Sequence, residues 1–271
     1  MLPRHGREHE GRHVRALALL GLFAALPFAA EAHDIWIEPG SSRVTAGGVI
    51  DLSLMLGNHG NRHRDFQLAS KVSPGDRKLL VYGPIGTKYE MTPYLVDNDA
   101  DPHEGFWTAV FRPEGPGLYM AASTFDKVMS YAPVRDIKSA KTFFEAFPAR
   151  DQAPATLTGF NRPLGHALEI VPLDNPAIPY GLGTRFTVQV RYKGRPMARA
   201  RVSFIPKGVK LTGDFDRRYE RTTGADGKAT LELEKAGPYL IATHFVDEKA
   251  KGKGYESIHY SATLCLIAPK G

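Results

Sequence analysis

Apolar and polar positions alternate along most of this chain. Ile35 and Ile37 start the pattern. In Val49–Leu56 the residues Ile50, Leu52, Leu54 and Leu56 fall on one face, with Asp51 and Ser53 on the other. A period of two marks half-buried strands. Further strands are expected at Lys78–Tyr82, Gly105–Phe111, Leu118–Thr124, Leu168–Val171, Phe186–Tyr192, Val202–Ile205, Ala229–Leu233, Tyr239–Phe245 and Ser257–Ile267. Gly and Pro punctuate them, as at Pro74-Gly75, Gly83-Pro84 and Ala236-Gly237-Pro238. Asp226-Gly227 reads as a tight hairpin, because that pair accepts the positive φ such turns need. One segment departs from alternation. Ile137, Ala140, Phe143, Phe144 and Phe147 are spaced by three and four before Pro148, which predicts a short amphipathic helix over 136–147.

The first 32 residues have a different character. Arg4, Arg7, Arg12 and Arg15 precede an apolar run from Ala16 to Ala30, and Ala30-Glu31-Ala32 is a small-x-small cleavage signal. Basic start, short apolar run and cleavage site in that order predict a signal peptide over 1–32, with export to the periplasm and a mature chain starting at His33. About 15 apolar residues are too few to span a bilayer comfortably. Removing 32 of the 271 residues leaves 239. Strands of this length with a turn every 8–12 residues predict an all-β protein of two tandem antiparallel β-sandwiches with one short helix. The expected boundary lies near residue 165, dividing an N-terminal domain, 33–165, from a C-terminal one, 166–271.

Charge narrows the function classes. The chain is +6 with neutral His; four Arg against Glu8, Glu10 and Glu31 give the leader +1, leaving +5 spread over the remainder. No basic block with interleaved aromatics appears, so nucleic acid is not an expected partner. Walker-type phosphate loops, G-x-G-x-x-G after a strand, G-x-S-x-G and H-E-x-x-H are absent from the sequence, which argues against ATP use, dinucleotide chemistry and standard serine hydrolysis. Cys265 is the one cysteine, so no intramolecular disulfide and no cysteine zinc site is possible.

Histidine carries the candidate chemistry. Cleavage before His33 would offer an α-amine and an imidazole from one residue, a chelating pair suited to nickel, cobalt, copper or zinc. Ile35 occupies the third position, where a square-planar amino-terminal motif needs His, so a histidine brace completed by other His is expected. His59 and His63 lie four apart in a Gly/Asn loop after a strand and can ligate together. His244 ends a strand and His259 sits in the last one; either becomes a ligand only by converging with His33. His166 reads as structural. Asp97, Asp99 and Asp101 resemble a calcium loop, but Pro102 stands where such a loop needs Gly, so that stretch reads as a solvated turn.

The opening His33-Asp34-Ile35-Trp36-Ile37-Glu38-Pro39, the stretch Gly165 to Pro172, the segment Gly194 to Val202, Thr223-Gly224-Ala225-Asp226-Gly227 and Ala236 to His244 together resemble an exported domain-of-unknown-function family related to NikM-type nickel transport subunits. That resemblance implies a periplasmic component of cobalt/nickel uptake working with a membrane metal transporter, with His33 and His244 as ligands. It also implies an immunoglobulin-like or carboxypeptidase-regulatory-like second domain. The expected function is nickel or cobalt binding without catalysis, with His33, His244, His63 and His59 as ligands and copper or zinc as alternative metals. A copper histidine-brace oxidative enzyme and a non-catalytic carbohydrate- or protein-binding module are the competing readings.

Overall fold

A computed structural model describes residues 33–57, 73–98, 105–148, 157–177 and 182–268. Seventeen strands follow one another: β1 (Asp34–Pro39), β2 (Arg43–Thr45), β3 (Ile50–Gly57), β4 (Arg77–Tyr82), β5 (Lys88–Glu90), β6 (Val96–Asp97), β7 (Trp107–Phe111), β8 (Gly117–Val128), β9 (Val134–Phe147), β10 (Leu168–Pro172), β11 (Thr184–Tyr192), β12 (Arg195–Pro196), β13 (Arg201–Pro206), β14 (Glu220–Thr222), β15 (Lys228–Leu233), β16 (Gly237–Asp247) and β17 (Ser257–Ala268). Two single 3-10 turns, Pro74–Asp76 and Thr92–Tyr94, are the only helical residues among those described. The protein is all-β, as its alternation predicts.

Three sheets build it. A small one has the order β1-β3-β7-β6, a second joins β10, β11, β12 and β15, and a long one runs β14-β13-β16-β17-β9-β8-β4-β5 with β2 also beside β9. The small sheet packs on one face of the long sheet, burying Ile37, Leu52 and Leu54 against Leu79, Tyr119 and Phe144. The second sheet packs on the opposite face, burying Phe186, Val188 and Leu231 against Val202, Phe204, Ile241 and Leu264. Two sandwiches thus share their middle layer. The expected boundary near residue 165 falls between β9 and β10, and the strands on either side of it meet in the long sheet, where β17 pairs with β9 in parallel. The described residues from His33 onward belong to one compact unit.

The predicted helix over 136–147 is instead the 14-residue strand β9. Its Phe143 enters the core under the second sheet, while Ala140, Phe144 and Ala146 enter the core under the small sheet. A strand covered on both faces has no solvent-facing side, so its apolar residues need not alternate and here fall at helical spacings by coincidence. Two residues behave as expected from the sequence. Gly227 has φ +73°, and a Cβ there would lie 2.8 Å from the Val190 carbonyl oxygen, so only glycine fits the Asp226-Gly227 hairpin. Cys265 is a free, buried thiol whose pKa burial pushes up.

Odd positions of β9 also carry polar groups inward. Lys141 is 2 % exposed and pairs with Glu169 of β10, also 2 % exposed. The backbone N–H groups of Leu164 and Gly165 donate to the same carboxylate at 2.6 and 3.1 Å. Burial alone would raise the Glu169 carboxyl, but Lys141 and the Leu164 N–H outweigh it and hold Glu169 below the usual range. This contribution is present above the ordinary Glu pKa and is lost as pH falls through the lowered one. Removing one partner of a buried pair strands the other charge. Lys141→Met is therefore expected to cost about 3–5 kcal/mol. Glu169→Leu should cost more, since it also strands two N–H groups. Urea denaturation with an unchanged slope would check both.

Candidate metal-binding site

β1 is an edge strand of the small sheet, yet its outer carbonyls do not face water. Lys138 Nζ of β9 donates to the His33 carbonyl at 2.9 Å, and Thr263 Oγ1 of β17 donates to the Ile35 carbonyl at 2.7 Å. Side chains of the long sheet therefore satisfy β1 where a further strand would otherwise do so. This seats the start of β1 on β9 and β17, beside β16. Trp36 is fully buried against Leu240 and Ala242 of β16 and Cys265 of β17. Residues two apart on a strand share a face. Asp34 thus lies on the same side of β1 as Trp36, and His244 on the same side of β16 as Ala242. Asp34 Oδ1 and His244 Nε2 meet at 2.7 Å.

The environment of this pair is asymmetric. The Asp34 side chain is 9 % exposed and the His244 side chain 47 %. The Asp34 charge raises the His244 pKa, burial opposes that, the hydrogen bond to Asp34 adds to it, and Lys138 and Arg201 lower it from the flanks. Those two cations have partners of their own. Lys138 lies 3.5 Å from Asp136, and Arg201 forms a two-point pair with Glu220 at 2.6 and 2.7 Å. Strand register sets Lys138 beside Ser261, and Ser261 beside His244. Ser261 Oγ is buried and makes no hydrogen bond. Aspartate, histidine and serine are the residue types of a nucleophilic triad, but here no hydrogen bond links the serine to the ring, so the chain of contacts stops at His244.

Of the sequence-predicted ligands, His33 and His244 lie within the described residues and His59 and His63 lie outside them, as does His103. Lys138 ties the His33 backbone to β9, and the side chain of Asp34 ties the start of β1 to His244 on β16. Asp34 was not predicted as a site residue. Its signal was the matched two-residue spacing of Asp34–Trp36 and Ala242–His244, which has meaning only once β1 is known to cross β16. His259 is half-buried on β17, opposite Asp136 and Val246 in register. His166 sits apart, near Lys141 and Glu169; burial first, then the Lys141 charge, draws its pKa down to about 4, which fits the structural role expected of it. Among the described residues no three His, Cys, Asp or Glu side chains gather as a metal-holding group. A metal at His244 would need the His33 amine or ligands from elsewhere in the chain.

Because the His244 pKa is raised, the ion pair with Asp34 stabilises the fold fully below the ordinary His value of about 6.5 and is lost as pH rises through the higher folded value. Asp34→Asn should bring the His244 pKa down, and NMR titration of the imidazole protons would read this. An unshifted value would show that Asp34 does not control the ring.

In backbone, the chain is similar to the D0–D1 domain of intimin at 13% identity, with 87% of this chain and 98% of that chain covered and a TM-score of 0.23. It is similar to the adhesin InvE of Yersinia pseudotuberculosis at 11% identity, with 86% and 58% covered and a TM-score of 0.21. Against the mouse nectin-like molecule 4 ectodomain the identity is 14%, with 88% and 65% covered and a TM-score of 0.21. Overlaps this loose carry no argument about function, and the all-β assignment rests on the strands themselves. No curated protein matches the chain in sequence. One family does match, described as Domain of unknown function (DUF4198), over residues 30–247. That span takes in the start of β1, its partner strands and His244, and on this match the chain belongs to the DUF4198 family.

Proposed function

We propose that the protein is exported to the periplasm and binds a divalent transition metal, nickel or cobalt, as cargo for a membrane metal-uptake system. The observation that carries this reading is the Asp34–His244 contact of 2.7 Å at the start of β1. Metal-ligating histidines commonly give their second ring N–H to a carboxylate, which fixes the tautomer and orients the ring. With Nε2–H held by Asp34, Nδ1 of a half-exposed His244 is left as the donor. His33 is the first residue of the compact unit and the residue that cleavage after Ala32 would expose, adding an amine and a second imidazole. Nitrogen donors of this kind suit nickel, cobalt, copper and zinc.

Two further His are within chain reach. Gly57 faces Asp34 in the β1–β3 register, and His59 and His63 follow it by two and six residues. At up to about 3.6 Å per residue, those spans are at most about 7 and 22 Å. The metal partner and the transporter rest on the resemblance to NikM-type subunits. Among the described residues no helix is long and apolar enough to cross a membrane, which is compatible with a separate membrane partner.

Protein processed after Ala32 should bind roughly one nickel per chain in a calorimetric titration, with affinity falling as pH drops through the His244 pKa, which lies above the ordinary value of about 6.5. One residue added before His33 should weaken binding strongly, and His244→Ala should do the same. Asp34→Asn should weaken it by about 10–100-fold as the loss of an orienting partner. Unchanged affinity in the extended protein and in His244→Ala would sink the reading. Copper-dependent release of oxidised sugars would favour the oxidative enzyme instead.

A further inference from the structure

Most described cations buried or half-buried in this protein have an acid to match. Lys141 meets Glu169 and Lys138 meets Asp136. Arg201 grips Glu220 at two points, and Arg218 grips Asp216 at 2.9 and 2.6 Å. Arg191 and Arg221 bond instead to carbonyl and amide oxygens, but Arg77 has neither an acid nor any other acceptor. It opens β4, two residues before Leu79 and four before Val81, which enter the core under the small sheet, so alternation puts Arg77 on that face. It is 4 % exposed. Its Nε, Nη1 and Nη2 are all buried and none makes a hydrogen bond.

The neighbours do not supply what is missing. Asp76 is adjacent in sequence, but its carboxylate accepts from Lys127 at 2.8 Å. Phe125, the cross-strand partner of Arg77, holds its ring 5.9 Å from the guanidinium carbon. An aromatic face attracts a cation but offers no in-plane acceptor to five N–H donors. Burial lowers the Arg77 pKa to about 10, so the group is still charged at neutral pH. A buried charge with no acceptor is strongly unfavourable, and such groups in native proteins usually mark a bound partner or a functional role.

We propose that Arg77 anchors a binding site for a small oxyanion, a carboxylate or phosphate group gripped by the guanidinium fork through two parallel hydrogen bonds. The planar, weakly hydrated guanidinium matches such groups in shape and tolerates burial, where an ammonium would act only as a solvated point charge. This inference is independent of the metal reading.

The test is calorimetric titration of the full chain with inorganic phosphate and, separately, with succinate, each against sodium chloride at matched ionic strength. One of the two should bind at about one per chain. Phosphate alone would identify a phosphate-bearing ligand, and succinate alone a carboxylate. Arg77→Lys should weaken binding by about tenfold or more, the equivalent of one lost charge-assisted hydrogen bond. Arg77→Met should abolish it, with an anion-free melting midpoint at or above that of the unaltered protein, because an unmatched buried charge is gone. Binding of neither anion overturns the proposal, and so does Arg77→Met with unaltered affinity. Should Arg77→Met fail to fold, Arg77→Lys decides alone: unchanged affinity makes Arg77 structural and overturns the site.

Discussion

Backbone pairing between β17 and β9 couples the two halves of this chain. The last strand of the C-terminal half lies in parallel beside the last strand of the N-terminal half, from Ser257–Val134 through Cys265–Thr142. Everything else is arranged around that seam. The small sheet covers one face of the joined sheet and β10, β11 and β15 cover the other, so β8 and β9 contribute side chains to both cores. Tyr119 and Phe144 stack at 5.3 Å under the small sheet, while Leu118, Met120 and Phe143 enter the opposite core. The core under the second sheet draws on strands from both sides of residue 165, whereas the core under the small sheet is lined by residues that precede it.

The candidate site is a product of the same seam. β17 lies between β16 and β9, and β1 lies over them because Lys138 of β9 and Thr263 of β17 satisfy its carbonyls. Asp34 and His244 are 210 residues apart in sequence and meet only through this stacking. The charge balance of the region follows as well: register sets the basic groups Arg201, His244 and Lys138 in one row, and each has its own acid, Glu220, Asp34 and Asp136.

Strands with one wet face were legible in the sequence. In β3 and β11 the buried positions are Ile50, Leu52 and Leu54, and Phe186, Val188 and Val190, with polar residues between them. β9 was not legible, because burial on both faces removes the alternation on which the reading depends. The partnership of strands was not legible either, since a period of two says which residues face inward but not which strand lies alongside. His33 and His244 were singled out from residue type and position. Asp34 was missed because its importance depends on crossing geometry, and Arg77 because a cation at the start of a strand ordinarily reaches water.

The parallel seam also governs how the chain can reach its native state. The edge of β9 that receives β17 waits for residues 257–265, which lie far downstream of it in the chain. Until then β9 presents unsatisfied N–H and C=O groups, and Met120 and Phe143 lack their cover; an open edge of this kind is where chains pair wrongly. An N-terminal fragment ending near residue 165 is left in that state permanently. The native sheet therefore forms by long-range pairing across the whole length of the chain, a topology that folds slowly for its size.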